Sequence, residues 1–118
     1  MISYLKGKII NKGGGFVILE VNNIGYQVFV MPLIYADLAA GQEFEFYIYQ
    51  QVREDALNLY GFRNMAELEL FELLLAISGI GPKSALGVMS IATVADIKES
   101  IARGDPALLT KVSGIGRK

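Results

Sequence analysis

The spacing of hydrophobic and polar positions changes character near residue 63. Ahead of that point, short apolar stretches are separated by clusters of glycine, asparagine and proline, the signature of strands and turns. Residues 2–12 are isoleucine-rich and stop at Lys12-Gly13-Gly14-Gly15. Phe16-Val17-Ile18-Leu19-Glu20-Val21 follows, then a turn at Asn22-Asn23-Ile24-Gly25, then residues 26–30, closed by Pro32. Residues 33–38 predict a short helical link. Residues 44–52 alternate aromatic with polar side chains, and Arg53-Glu54-Asp55-Ala56 separates them from Leu57-Asn58-Leu59-Tyr60. Five strands with a short helix between the third and fourth predict a small β barrel of the OB-fold type over residues 1–64, with an antiparallel sandwich as the alternative.

From Asn64 the period becomes helical. Asn64 is placed to cap a helix over residues 65–77, with Glu67 completing a capping box and Leu68, Phe71, Leu74 and Leu75 on one face. Pro82 suits the first position of a second helix running to about Met89. Thr93 caps residues 94–103, with Asp96 three positions on, and Gly104 stops that helix. Asp105-Pro106 starts a short helix over 107–112. Residues 65–118 therefore predict an all-α domain behind the barrel.

Hydrophobic residues make up 53% of the 118. That is high for a short chain and hints that part of the apolar surface faces another subunit. The apolar run at residues 73–77 is too short to cross a bilayer, and the N-terminus lacks the layout of a signal peptide, so a cytoplasmic location is expected and no membrane partner. Cysteine and histidine are both absent from the sequence. Disulfides, cysteine nucleophiles, serine–histidine triads and the usual zinc sites are thereby excluded. Net charge is −1. Residues 1–62 carry four basic and six acidic side chains (net −2), and 63–118 carry seven and six (net +1). Binding of a polyanion would have to come from local geometry rather than bulk attraction.

Such geometry is present twice. Ser78-Gly79-Ile80-Gly81-Pro82-Lys83 and Ser113-Gly114-Ile115-Gly116-Arg117-Lys118 align, 35 residues apart (114 − 79), and each follows a predicted helix. Two glycines let the backbone turn sharply and let a phosphate approach the main chain. Ile80 and Ile115 anchor the turns. Backbone N–H groups at the head of the next helix then face the phosphate, helped by the helix dipole. Lys83 sits in a first helical turn, where a cation opposes the dipole unless an anion is bound. Arg117 and Lys118 repeat the arrangement. The bland reading is a tight helix–helix turn followed by a solvated lysine; recurrence of the pattern favours the helix–hairpin–helix, which holds the sugar–phosphate backbone without reading bases. Gly79, Ile80, Gly81, Lys83, Ser84, Gly114, Ile115, Gly116, Arg117 and Lys118 are the candidate DNA-binding residues.

Arg53-Glu54-Asp55 occupies the tip between the fourth and fifth strands. Polar residues suit any turn, and nothing else in the sequence converges on these carboxylates to make a metal or acid–base site. In a DNA binder, two negative charges on a projecting tip repel phosphate and so contribute selectivity.

Assembled, these features resemble the RuvA family, Holliday-junction-binding subunits of a bacterial branch-migration machine. The resemblance covers the whole chain: Met1-Ile2, a turn at Gly25-Tyr26, Val52-Arg53-Glu54-Asp55-Ala56, Leu59-Tyr60-Gly61-Phe62 and both hairpins in order. It implies a homotetramer in which barrels surround the centre and hairpins hold the four arms of a DNA junction. Glu54 and Asp55 become an acidic pin at the crossover, with Arg53 beside them as a junction contact. The implied partners are four-way junction DNA, the RuvB ATPase that drives branch migration, and the RuvC resolvase, all in recombinational repair and the SOS response to DNA damage. No cofactor, metal or catalytic residue is expected; the resemblance puts the ATPase in RuvB, and no G-x-x-x-x-G-K-[ST] run is present here. The chain departs from the family at Ser113, where proline is usual, and at Arg117, where lysine is common. It ends at Lys118, where the last helix of the second hairpin should begin. That hairpin is therefore expected to be poorly ordered, and recruitment of RuvB, which belongs to a further C-terminal domain, is not expected of this polypeptide.

Three other readings remain at this stage. One is a tandem helix–hairpin–helix duplex binder without junction preference. Another is a hairpin-type DNA glycosylase with Lys83 as nucleophile and Asp96 as the catalytic carboxylate, although Asp96 already serves a helix cap. The third is a single-strand binder that stacks bases on Phe46, Tyr47 and Tyr49, which suit a core or interface better.

Overall fold

The structure, a computed structural model, describes residues 1–103. The stop at Gly104, the helix at 107–112 and the whole second loop lie outside the described residues. Two compact units divide the chain, Met1–Leu68 and Glu69–Lys118.

The first unit is the predicted barrel. Strands β1 (Tyr4–Lys12), β2 (Phe16–Val21), β3 (Ile24–Phe29), β4 (Glu43–Val52) and β5 (Leu57–Phe62) close in the order β1-β2-β3-β5-β4. β3 and β5 run parallel, through Val28↔Leu59, and every other neighbouring pair is antiparallel. β1 closes the cylinder by pairing with both β2 and β4. Its register shifts between Ile9 and Asn11, so Ile10 is an extra residue that bends the strand and stands half exposed. Ile9, Val17, Leu19, Val28, Phe46, Ile48 and Leu59 are buried. Their alternation in sequence is what gives each strand one apolar face.

Two details differ from the sequence reading. The β2–β3 turn is two residues, Asn22 and Asn23, both at positive φ (50° and 72°), and Ile24 and Gly25 already pair with Val21 and Glu20. Asparagine tolerates the left-handed region, so Gly25 is not needed for the turn. The link helix α1 is Pro32–Tyr35, shorter than predicted. The Lys12 ammonium donates to the Tyr35 and Leu38 carbonyls (2.9 and 2.7 Å) and lies 4.2 Å from the centre of the Tyr35 ring. A cation at those carbonyls satisfies the helix end where it stops.

Helix α2 is Met65–Leu75, and the division between units falls inside it, after Leu68. The Asn64 Oδ1 accepts the Glu67 N–H at 2.9 Å, the predicted cap. The capping box does not close. The Glu67 carboxylate, only 4% exposed, accepts instead from the Arg63 backbone N–H (2.9 Å) and Nε (2.9 Å) and pairs with its guanidinium. The carboxylate reaches one residue further back than a box requires because Arg63 offers a cation there as well. Leu68, Leu70, Phe71 and Leu74 are buried, whereas Leu75 is only half-buried. Beyond Leu75 the bonds tighten, Ile77 N–H to Leu74 O at 3.0 Å, so α2 ends two residues before the predicted Ile77.

In the second unit, α3 is Pro82–Ile91 and α4 is Val94–Arg103; the two helices pack on each other, and Ala85, Leu86, Val88 and Met89 of α3 and Ile97 of α4 are buried. Thr93 Oγ1 accepts the Asp96 N–H at 3.1 Å, the predicted cap of α4.

Candidate nucleic-acid interface

The first glycine loop is a turn closed by the Ile80 N–H on the Ile77 carbonyl, 3.2 Å. Gly79 is its third residue, at φ +89°, the position and sign that reserve glycine in a type II turn. Ile80 is buried and anchors the loop as expected. Gly81 is different. It is the N-cap of α3 with φ −95° and ψ 178°, extended backbone that any residue adopts, and a Cβ built there meets nothing within 4 Å. Among the described residues nothing demands glycine at position 81. What the missing side chain leaves there is open space.

That space lies in front of the helix N-terminus. The first bond of the following turn is Ala85 N–H to Gly81 O, 2.9 Å, and Gly81 offers no side-chain cap. The N–H groups of Lys83 and Ser84, in the first turn behind Pro82, are therefore left without an i−4 helical acceptor. Lys83 is exposed and has no ion pair or hydrogen bond among the described residues. A cation there opposes the helix dipole, and an anion seated on the N–H groups would reverse that effect. The matching residues of the second loop, Gly114, Ile115, Gly116, Arg117 and Lys118, lie outside the described residues.

The acidic tip belongs to the first unit. The Arg53 N–H donates to the Ala56 carbonyl (2.8 Å) and closes the β4–β5 loop, leaving Glu54 and Asp55 at its end. Both are exposed, neither has positive φ, and neither has a cationic partner among the described residues. Arg53 is exposed beside them. Burial pushes the Tyr60 hydroxyl above its ordinary value, and the Asn58 side chain and then the Arg53 charge draw it part of the way back.

The sequence reading passed over Val52 and Leu57, which flank this loop and are paired across it. They are 65% and 61% exposed. The only signal was that Val52 continues the alternate positions Phe46 and Ile48 beyond the barrel.

Two earlier alternatives lose ground. Phe46 is fully buried and cannot stack a base, and Tyr47 is half-buried with its ring edge-on to Tyr4, centroids 5.5 Å apart. The Asp96 backbone N–H donates to the Thr93 cap while its carboxylate stays exposed, and Asp96 is not brought into a cluster of metal-binding type among the described residues. An open groove of about 670 Å³ on the first unit is lined by Lys6, Arg63, Glu43 and Glu45 among others. Its balanced charges give it no attraction for a polyanion. No described helix is long and apolar enough to cross a membrane.

Comparison with known proteins gives two family matches, "RuvA N terminal domain" over residues 1–61 and "SAM-like Helix-hairpin-helix tandem" over 71–118. Among curated relatives, the Holliday junction branch migration complex subunit RuvA of Geotalea daltonii is 43% identical over 119 residues, covering 100% of this chain and 60% of the relative. The proteins of that name from Clostridium perfringens (41% identical, 59% of the relative covered) and Symbiobacterium thermophilum (43%, 58%) match along the whole chain as well. The chain thus spans about 60% of the length of the relatives it matches.

Proposed function

The chain belongs to the RuvA family, and on that premise we propose that it binds four-way Holliday-junction DNA, as a non-catalytic part of a branch-migration complex. The observation that carries the reading is the contrast between the two described glycines. Gly79 answers to the backbone, whereas Gly81 meets nothing among the described residues and clears the approach to a helix N-terminus, behind which Lys83 has no ion pair among them. A phosphate is the ligand that such a site suits.

In this reading the DNA contacts are Gly79, Ile80, Gly81, Lys83 and Ser84, repeated by Gly114, Ile115, Gly116, Arg117 and Lys118. Glu54 and Asp55 form the pin that keeps phosphates off the crossover, with Arg53 contacting the junction beside it. Residues 1–64 act as the barrel domain and 65–118 as the DNA-holding domain. A homotetramer, a cytoplasmic location, and as partners the RuvC resolvase and, through the family's C-terminal domain rather than these residues, the RuvB ATPase complete it.

Gel-shift competition between a four-way junction and linear duplex of equal length, at two salt concentrations, tests the reading. The junction should compete better at both, while absolute affinity falls steeply with salt. Equal competition by linear duplex would leave a sequence-independent duplex binder and remove the junction from the proposal.

A further inference from the structure

The β4–β5 hairpin carries its core pattern past the end of the barrel. Ladder pairs on the inward face are Ile48↔Gly61 and Gln50↔Leu59, and strict alternation puts Val52↔Leu57 next on the same face. Ile48 is 3% exposed and Leu59 7%, but Val52 is 65% and Leu57 61%. On β5 the apolar positions Leu59 and Leu57 run on out of the barrel, and on β4 Val52 stands beyond the polar Gln50, so Val52 and Leu57 lie bare together just beneath Glu54 and Asp55. Directly opposed residues have Cβ atoms about 4.5–5.5 Å apart, so the two side chains form one platform of roughly the width of a base. The neighbouring pair on the other face, Gln51↔Asn58, is polar. The hairpin end is thus two-faced, with a charged tip.

We propose that the Val52–Leu57 platform packs on the unstacked face of a base pair at the branch point of a four-way junction. The inference rests on the junction reading above. Charge selects this occupant. Glu54 and Asp55 adjoin the platform and form no ion pair among the described residues; with Arg53 beside them the tip is still net negative, so phosphates are disfavoured on it. A base pair presents a flat, uncharged, weakly hydrated face instead. Linear duplex offers no bare face, since each internal base pair is covered on both sides; a branch point breaks that stack. Aliphatic side chains against opened base steps are a recurrent way of holding DNA open. The platform would therefore contribute to junction binding and not to duplex binding.

The test is the variant Val52→Thr with Leu57→Thr, which keeps β-branched or β-forming side chains at two exposed positions; an unchanged unfolding midpoint verifies the fold. Affinity is read by fluorescence anisotropy on junction and linear duplex, and base exposure by 2-aminopurine placed beside the branch point. The unaltered chain should raise the 2-aminopurine emission on binding. The variant should bind the junction about tenfold more weakly, as expected for losing the burial of about two methyl or methylene groups, with duplex affinity unchanged and the emission rise diminished. Val52→Ile with Leu57→Phe should retain both. Undiminished junction affinity and emission in the threonine variant would overturn the platform while leaving the junction reading standing. So would a change in oligomeric mass by analytical ultracentrifugation, which would assign the pair to a subunit contact. Absence of junction preference in the unaltered chain would instead remove the reading beneath it.

Discussion

Replacing Gly79 and Gly81 by alanine, one at a time, separates the demands of the fold from those of DNA. Gly79 has φ +89°, and alanine there enters the left-handed region at a cost of about 1–2 kcal/mol. Reduced freedom of the unfolded chain returns about 0.4–1 kcal/mol, so the net loss is about 1 kcal/mol. Thermal unfolding should report it as a fall in Tm of about 4 °C. At Gly81 the terms cancel. Alanine is the poorer N-cap by up to about 1 kcal/mol, offset by the same gain in the unfolded state, and its Cβ enters empty space. Stability should be unchanged within about 0.5 kcal/mol. Binding should behave differently. The Cβ of Gly81→Ala stands where a phosphate must approach the N–H groups of Lys83 and Ser84. Loss of one charge-assisted hydrogen bond, about 1.5–3 kcal/mol, weakens binding about tenfold or more. Anisotropy titrations with junction and duplex, alongside urea unfolding, measure both quantities. Full affinity in Gly81→Ala would refute the account of that glycine, and an unchanged midpoint in Gly79→Ala would refute the account of the turn.

The remaining expectations concern charge and capping. Glu54→Gln with Asp55→Asn should raise affinity for linear duplex and lower junction preference; unchanged competition would return both residues to ordinary turn chemistry. Lys83→Ala should weaken binding to all sequences alike and make the plot of log K against log salt shallower by about 0.9, one phosphate contact. A loss restricted to one sequence would contradict backbone recognition. Asn64→Ala removes the side-chain acceptor of the Glu67 N–H and should cost about 1 kcal/mol in urea unfolding.

Local features carried most of the fold in the linear sequence. Period-two apolar residues with turn clusters marked five strands, and the switch to helical spacing at Asn64 marked the start of α2, ahead of the division between units after Leu68. The Asn64 and Thr93 caps were legible because each acts within three residues of itself. The paired glycine loops were legible for the same reason, and the family follows from them together with the acidic tip. Where one partner was non-local or a choice existed, the reading slipped. Glu67 was assigned to Asn64 by spacing, but the cation on Arg63 outbid that backbone group for the carboxylate. The Asn22-Asn23-Ile24-Gly25 turn had two ways to fold, and the ladder to β3 selected the shorter.

The two loops show the boundary most directly. Their glycines look equivalent in sequence, and the chemistry of phosphate binding was already written in their spacing and in Lys83. Which glycine serves the turn and which leaves room for a ligand was decided by φ and by the emptiness around Gly81 in the folded chain. The same holds for Val52 and Leu57. As letters they are two more apolar residues of an alternating strand, indistinguishable from Ile48 or Leu59. Only closure of the barrel, a set of pairings between strands far apart in the chain, determines where enclosure ends and leaves those two in the open, since burial depends on what the rest of the molecule covers rather than on the residue itself.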